Sequence, residues 1–134
     1  MTVVVDASVV VAALIEPGAT GVWAEDLIGE GDLAAPHLLP FEVVSALRRL
    51  AAQGHISGDV ASLARLDLAA LPIELFPYSA CATRVWELRD NLTPYDASYV
   101  ALAESLGAEL ATIDRKLTMA AGARCAFRTP GGSS

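Results

Sequence analysis

Aromatic side chains make up only 6% of this 134-residue chain, which also holds just two cysteines, a single lysine (Lys116) and no broad excess of positive charge. Each scarcity excludes something. The longest uninterrupted apolar stretch, residues 9–15, is far below the roughly twenty residues needed to cross a bilayer, so no membrane partner is expected. The opening Met1-Thr2-Val3-Val4-Val5-Asp6 has no basic flank, and an acid interrupts it where a secretory segment would continue; it reads as the start of a cytoplasmic protein. Cys81 and Cys125 form no C-x-x-C pair, which argues against a disulfide framework or a zinc site and leaves two buried thiols as the expectation. The formal charge of −7 argues against nucleic-acid binding through a wide basic face. The other cations are all arginines, the better bidentate phosphate ligand, although a coding bias explains that preference equally well.

What is present is a core. Hydrophobic residues reach 54%, and a chain of this length hides roughly two thirds of its unfolded surface on folding, as one ordinary domain does. Residues 2–6 are a β-branched run that reads as a strand buried on both faces, followed by a helix over 7–15 stopped by Pro17-Gly18. Further helices are predicted over 21–30, 40–53, 58–71, 80–90, 94–106 and 115–121. Further strands are predicted over 33–35, 73–76, 109–113 and 124–128. Pro40 and Pro94 mark helix starts, and Gly54 and Gly107 mark stops. Short apolar strands alternating with helices imply α/β architecture, a three-layer α/β/α sandwich around a mainly parallel sheet. The domain spans residues 1–129, with 130–134 as a frayed tail.

Most acidic residues fall on polar helix faces or in loops. Four fall at element junctions instead: Asp6 and Asp114 end strands, and Glu42 and Asp96 stand in the first turns after Pro40 and Pro94. In a right-handed βα unit a strand's C-terminal end and the next helix's N-terminus share one side of the sheet, which places Asp6 with Asp114 and brings Glu42 to the same edge. The helix over 94–106 and the strand after it have similar lengths, roughly 20 and 17 Å, so Asp96 returns to that edge too. Open α/β sheets bind their ligands there.

Each acid alone has a structural account: Asp6 and Asp114 as helix caps, Thr93 to Asp96 as a capping box, Glu42 as a complement to the helix dipole. Together they need more, because carboxylates within about 5 Å repel by roughly 3 kcal/mol per pair at an effective dielectric of 20. No Lys or Arg cluster lies near them in sequence, and His37 and His55 are not spaced as co-ligands. An all-oxygen site suits Mg²⁺ or Mn²⁺. Ser8, Ser98 and Thr112 accompany the acids as hydroxyls able to orient them, Ser98 being the one best explained by a local backbone bond.

At these residues the chain resembles the PIN-domain family, and within it the toxin ribonucleases of bacterial VapBC toxin–antitoxin pairs. The resemblance rests on Val3-Val4-Val5-Asp6-Ala7-Ser8, Pro40-Phe41-Glu42-Val43, the segment from Thr93-Pro94-Tyr95-Asp96-Ala97-Ser98 to Ala103, and Leu110-Ala111-Thr112-Ile113-Asp114-Arg115-Lys116-Leu117. It implies that Asp6, Glu42, Asp96 and Asp114 are catalytic and hold the metal, with Ser8 and Thr112 in support. It implies an endoribonuclease that hydrolyses RNA phosphodiester bonds with water activated on Mg²⁺ or Mn²⁺. It also implies a homodimer and a cognate VapB-type antitoxin seated in a groove beside the site, for which the apolar faces of residues 9–15 and Trp23 are candidates. Neutralising the four carboxylates would remove more than half of the formal negative charge, and Arg115 and Lys116, with Arg124 and Arg128, are the candidate phosphate ligands. Two other classes share such an edge: a phosphoryl-transfer domain, for which Asp6-Ala7-Ser8 lacks the D-x-D pattern, and a non-catalytic binding module in which the acids only cap helices.

Overall fold

Val3–Val5, three β-branched residues that pack well on a pleated surface, form β1 at the centre of the sheet and are buried on both faces. The computed structural model describes residues 1–133. In it β2 (Leu33–Pro36), β3 (Ile73–Phe76), β4 (Glu109–Ala111), β5 (Phe127–Thr129) and β6 (Gly132–Ser133) join β1 in the order β3-β2-β1-β4-β5-β6. The first five are parallel, and only β5 and β6 pair antiparallel.

The helices are α1 (Ala7–Ile15), α2 (Ala19–Gly29), α3 (Leu39–Ala52), α4 (Gly58–Ala70), α5 (Ala82–Glu87), α6 (Pro94–Leu106) and α7 (Arg115–Thr118). The chain runs outward from β1 to β3 and then jumps back to β4, so right-handed crossovers place α1 to α4 on one face and α5 to α7 on the other. Packing follows this division: α1 meets α2, α3 and α4, while α6 meets α5 and lies across β1, β2 and β4. The expected three-layer sandwich is therefore present. Its core is small-residue packing of Val4, Val5, Val9, Val10, Ala35, Val43, Val100, Ala103 and Leu110, with Tyr99 the one large polar-tipped side chain fully inside.

Two glycines have a geometric reason. A Cβ at Gly21 would stand 1.8 Å from the Glu16 carbonyl oxygen, so α1 and α2 join this tightly only through glycine. Gly107 ends α6 with φ +62°, and its N–H reaches back to Ala103 and Glu104. Among the described residues no single helix is long and apolar enough to cross a membrane, and the pair α1 and α2, which together reach that length, is bent by 110°.

The strand expected from residue 124 begins three residues later, at Phe127. The Glu104 carboxylate accepts from the Arg124 N–H at 2.6 Å while also holding Arg84 at 2.6 Å, and this keeps the approach to β5 as a loop. Likewise α5 is short, preceded by a single 3-10 turn over Tyr78–Ala80. The predicted frayed tail includes a turn at Pro130-Gly131 and the two-residue β6; Ser134 lies outside the described residues. Cys81 is buried, Cys125 only half-buried, and both are free thiols.

Candidate active site

The sheet order reverses between β1 and β4, since β1 leads away to β2 and β4 leads the other way to β5. Their register pairs Val5 with Ala111 at the C-terminal ends, which sets Asp6 directly beside Thr112 in the next step of the two strands. The Asp6 N–H donates to the Ala111 carbonyl at 3.2 Å, extending the ladder by one bond. Asp6 then caps α1: its Oδ1 accepts from the Val9 N–H at 3.2 Å and from the Ser8 hydroxyl at 2.5 Å, and its Oδ2 accepts from the Thr112 hydroxyl at 2.5 Å.

The supporting hydroxyls are themselves fixed from behind. Ser8 Oγ accepts from the Ile113 N–H at 3.1 Å and Thr112 Oγ1 from the Asp114 N–H at 3.0 Å, so the β4–α7 connection is tied to the start of α1 through side chains that hold Asp6. Asp114 caps α7 by accepting from the Lys116 N–H at 3.0 Å and keeps its side chain at the exposed surface. Ser98, by contrast, donates to the Tyr95 carbonyl at 2.6 Å, a local bond within α6.

Glu42 and Asp96 come from the first turns of α3 and α6, both with proline at the helix start. Thr93 caps α6 by accepting from the Asp96 N–H at 3.2 Å, and the Asp96 carboxyl is left half-buried without serving as the cap. Glu42 is half-buried, and its Oε1 accepts from the Tyr99 hydroxyl at 2.5 Å. Sequence reasoning missed Tyr99. The signal was its place three residues after Asp96, one turn along the same face of α6.

Electrostatics ties the four acids into one group. Burial, working against the Ser8, Thr112 and Val9 hydrogen bonds and helped by the charge of Asp114, pushes the Asp6 carboxyl up to about 6. Burial also raises Glu42, opposed by the Tyr99 hydroxyl and reinforced by Asp96, and raises Asp96, reinforced by Asp114. Each acid thus feels at least one other. Tyr99 is raised by its burial and then by Glu42, which keeps the phenol a neutral donor.

Asp6 spends both oxygens on hydroxyls and backbone. As the side chains lie, no group of three or more His, Cys, Asp or Glu among the described residues stands in ligating geometry. The donor set still fits one kind of guest. It is all oxygen, the charges of Asp96 and Asp114 add to the burial that raises Asp6, Glu42 and Asp96, and a hard divalent cation would relieve that repulsion.

Of the basic residues, Arg115 and Lys116 are exposed beside Asp114. Arg128 is instead held by Glu109 at 2.8 Å and Glu30 at 3.4 Å, and Arg124 precedes β5 at the opposite, N-terminal edge of the sheet. A groove of about 660 Å³ runs from Ser8 and Glu42 between α1 and α3, past Val11, Ile15 and Arg49 to Ile56. Trp23 packs against the core and does not line it.

The comparisons with known proteins bear on this edge. The PIN domain family model matches residues 3–123. A VapC ribonuclease of Mycobacterium bovis is 40% identical over 123 residues, covering 92% of this chain and 94% of the relative. Among solved structures, VapBC2 from Rickettsia felis, crystallised bound to a DNA fragment from their promoter, superposes with a TM-score of 0.68 at 15% identity, over 96% of this chain and 98% of that one. VapC20 of Mycobacterium tuberculosis, a sarcin–ricin loop cleaving toxin, also gives 0.68 at 15% identity, over 92% and 97%. These two likenesses establish the shared fold. The family match spans all four acids and the identity extends along nearly the whole of both chains, and on that ground the chain belongs to the PIN domain family.

Proposed function

We propose that this chain is an endoribonuclease, the toxin of a type II toxin–antitoxin pair, and that Asp6, Glu42, Asp96 and Asp114 hold the Mg²⁺ or Mn²⁺ on which RNA phosphodiester hydrolysis depends. One observation carries the reading: the fold brings four carboxylates, from the ends of β1 and β4 and the first turns of α3 and α6, to the switch point of the sheet. The M. bovis relative at 40% identity is named a ribonuclease, which supplies the reaction class.

When bound, the cation supplies the positive charge that stabilises the phosphate in the transition state and makes water a better nucleophile. The chain's own residues do the placing. Three donors fix the Asp6 carboxylate against rotation, so its direction is set before substrate arrives. Glu42 is held by one phenol, and Asp96 and Asp114 stand nearer the surface, where the phosphodiester approaches. Arg115 and Lys116 flank Asp114 and would meet neighbouring phosphates.

The partner proposed here is a VapB-type antitoxin. The name VapBC2 belongs to the R. felis neighbour, and the groove along α1 and α3 gives this chain a mainly apolar channel that begins at Glu42 and Ser8. Arg supplied by such a partner would neutralise the quartet. A homodimer and a cytoplasmic location complete the reading.

The deciding experiment is cleavage of a total RNA pool by wild type and Asp96→Asn with Mg²⁺, with Mn²⁺ and with EDTA. Discrete, metal-dependent products lost in the variant are expected. No cleavage with either metal, together with no metal-induced rise in melting temperature, would return the acids to helix capping and overturn the proposal.

A further inference from the structure

The geometry points to Tyr99 as a positioning residue: its buried hydroxyl sets the direction of the Glu42 carboxylate and thereby the site's affinity for its divalent cation. The inference rests on the metal-dependent reading above and concerns the half of the site that has little other support.

Tyr99 is 2% exposed and packs in the layer between α6 and the sheet. Its hydroxyl crosses to another helix and donates to Glu42 Oε1 at 2.5 Å, joining residues 57 apart in sequence. Among the described residues this is the one hydrogen bond made to the Glu42 carboxylate. A glutamate has three rotatable side-chain bonds, and leaving them free would scatter the carboxylate over many positions. The phenol fixes one oxygen and leaves the other unclaimed. Tyr99 thus orients one oxygen of Glu42, where Ser8, Thr112 and the Val9 N–H hold both oxygens of Asp6.

Packing sets where the phenol reaches. Tyr99 follows Asp96 by three residues on α6, so one helix face carries both an acid of the site and the donor to another. A shift of α6 relative to α3 would carry Asp96 and the Tyr99 hydroxyl with it and so pull on the Glu42 carboxylate. A phenol that served packing alone would need only an acceptor for its own proton, and the orientation of Glu42 would then matter to nothing but stability.

The test compares wild type, Tyr99→Phe, Glu42→Gln and the double variant. Phenylalanine keeps the ring in the core and removes only the donor. Mn²⁺ affinity is measured by calorimetric titration or from the free-ion EPR signal, without RNA, and cleavage is measured separately as kcat and KM. The expected result is a Mn²⁺ Kd raised about 10- to 100-fold in Tyr99→Phe, the usual effect of losing a partner behind a ligand. Cleavage should fall through kcat with KM little changed, and the double variant should bind Mn²⁺ no more weakly than Glu42→Gln alone. Wild-type Mn²⁺ affinity in Tyr99→Phe, with stability alone reduced, would overturn the positioning role and leave the nuclease reading standing. A double variant weaker than Glu42→Gln by the full Tyr99→Phe factor would show that the phenol acts elsewhere than through Glu42, and would overturn it as well. Wild-type protein that binds no Mn²⁺ would bring down the metal-dependent reading and this inference together.

Discussion

The two halves of the acidic site are built differently. On the β1–β4 side, neighbouring strands in fixed register deliver Asp6 and Thr112 side by side, and Ser8, Thr112 and the Val9 N–H saturate a buried carboxylate. On the α3–α6 side, Glu42 and Asp96 stand in the first turns of two helices from opposite faces of the sheet, and one phenol bridges them. A strand end positions a side chain through backbone bonds, whereas a helix start positions it through whatever holds the helix. The first half is therefore rigid before any ligand arrives, and the second is adjustable. Substitution should expose the asymmetry. Asp6→Asn is expected to lower RNA cleavage by about a thousandfold or more, the rate equivalent of the several kcal/mol an ion contributes. Glu42→Gln is expected to cost clearly less in the same assay. Equal losses would break the comparison and make the two halves functionally equivalent.

Rigidity on the strand side has a cost that pH can read. Asp6 is pushed from 3.8 to about 6 in the folded protein, so between pH 4 and 6 the native state keeps a proton that the unfolded chain has released. The contribution of Asp6 to the stability of the metal-free protein should therefore be fully present below pH 3.8, fall as pH rises through about 6, and be gone above it. The drop is on the order of 3 kcal/mol for this one group. Denaturant melts across pH 4 to 8 in EDTA measure it, and Asp6→Asn should flatten that part of the profile. A wild-type stability that rises through the same window would show that Asp6 is charged at little cost, and that the hydroxyls outweigh its burial.

The two hydroxyls behind Asp6 should also separate. Thr112→Val keeps the shape at a fully buried position but leaves both Asp6 Oδ2 and the Asp114 N–H without their partner, and is expected to destabilise by about 1–3 kcal/mol. Ser8→Ala, at a half-buried position, should cost about 0.5–1.5 kcal/mol. Thermal melts in EDTA give both values. A larger loss for Ser8→Ala would place the anchor of the site in α1 and not in the β4 ladder.

The same asymmetry explains which features are legible in the sequence. Val3 to Asp6 and Leu110 to Asp114 announce a buried strand followed by an acid, and the right-handed crossover then dictates which edge the acids share. Pro40 and Pro94 likewise mark helix starts carrying Glu42 and Asp96. Tyr99 is legible only as a neighbour of Asp96 on one face of α6; its hydrogen bond to Glu42 joins residues 57 apart, from helices on opposite faces of the sheet, which no local pattern encodes. The late start of β5 has a similar origin: propensity favours an earlier strand, but Glu104 in α6 takes the Arg124 N–H. Where neighbours in sequence decide, local pattern suffices; where a side chain from a distant element decides, it does not.

The smallest effect concerns the surface cations. Arg115 and Lys116 are exposed beside Asp114 at the edge where the acids gather, whereas Arg128 is committed to Glu109 and Glu30. If the first two meet phosphates, replacing either by alanine should reduce the slope of log affinity against log salt by about 0.7 for single-stranded RNA. The measurement is fluorescence anisotropy with a labelled RNA over a salt series, in an Asp96→Asn background so that nothing is cleaved. Arg128→Ala is the internal control: breaking its two ion pairs should lower the melting temperature slightly and leave the salt slope alone, because its charge is already spent within the protein. A slope that falls with Arg128 and not with Arg115 or Lys116 would move the RNA path from the Asp114 side of the site to β5 and its partners Glu109 and Glu30.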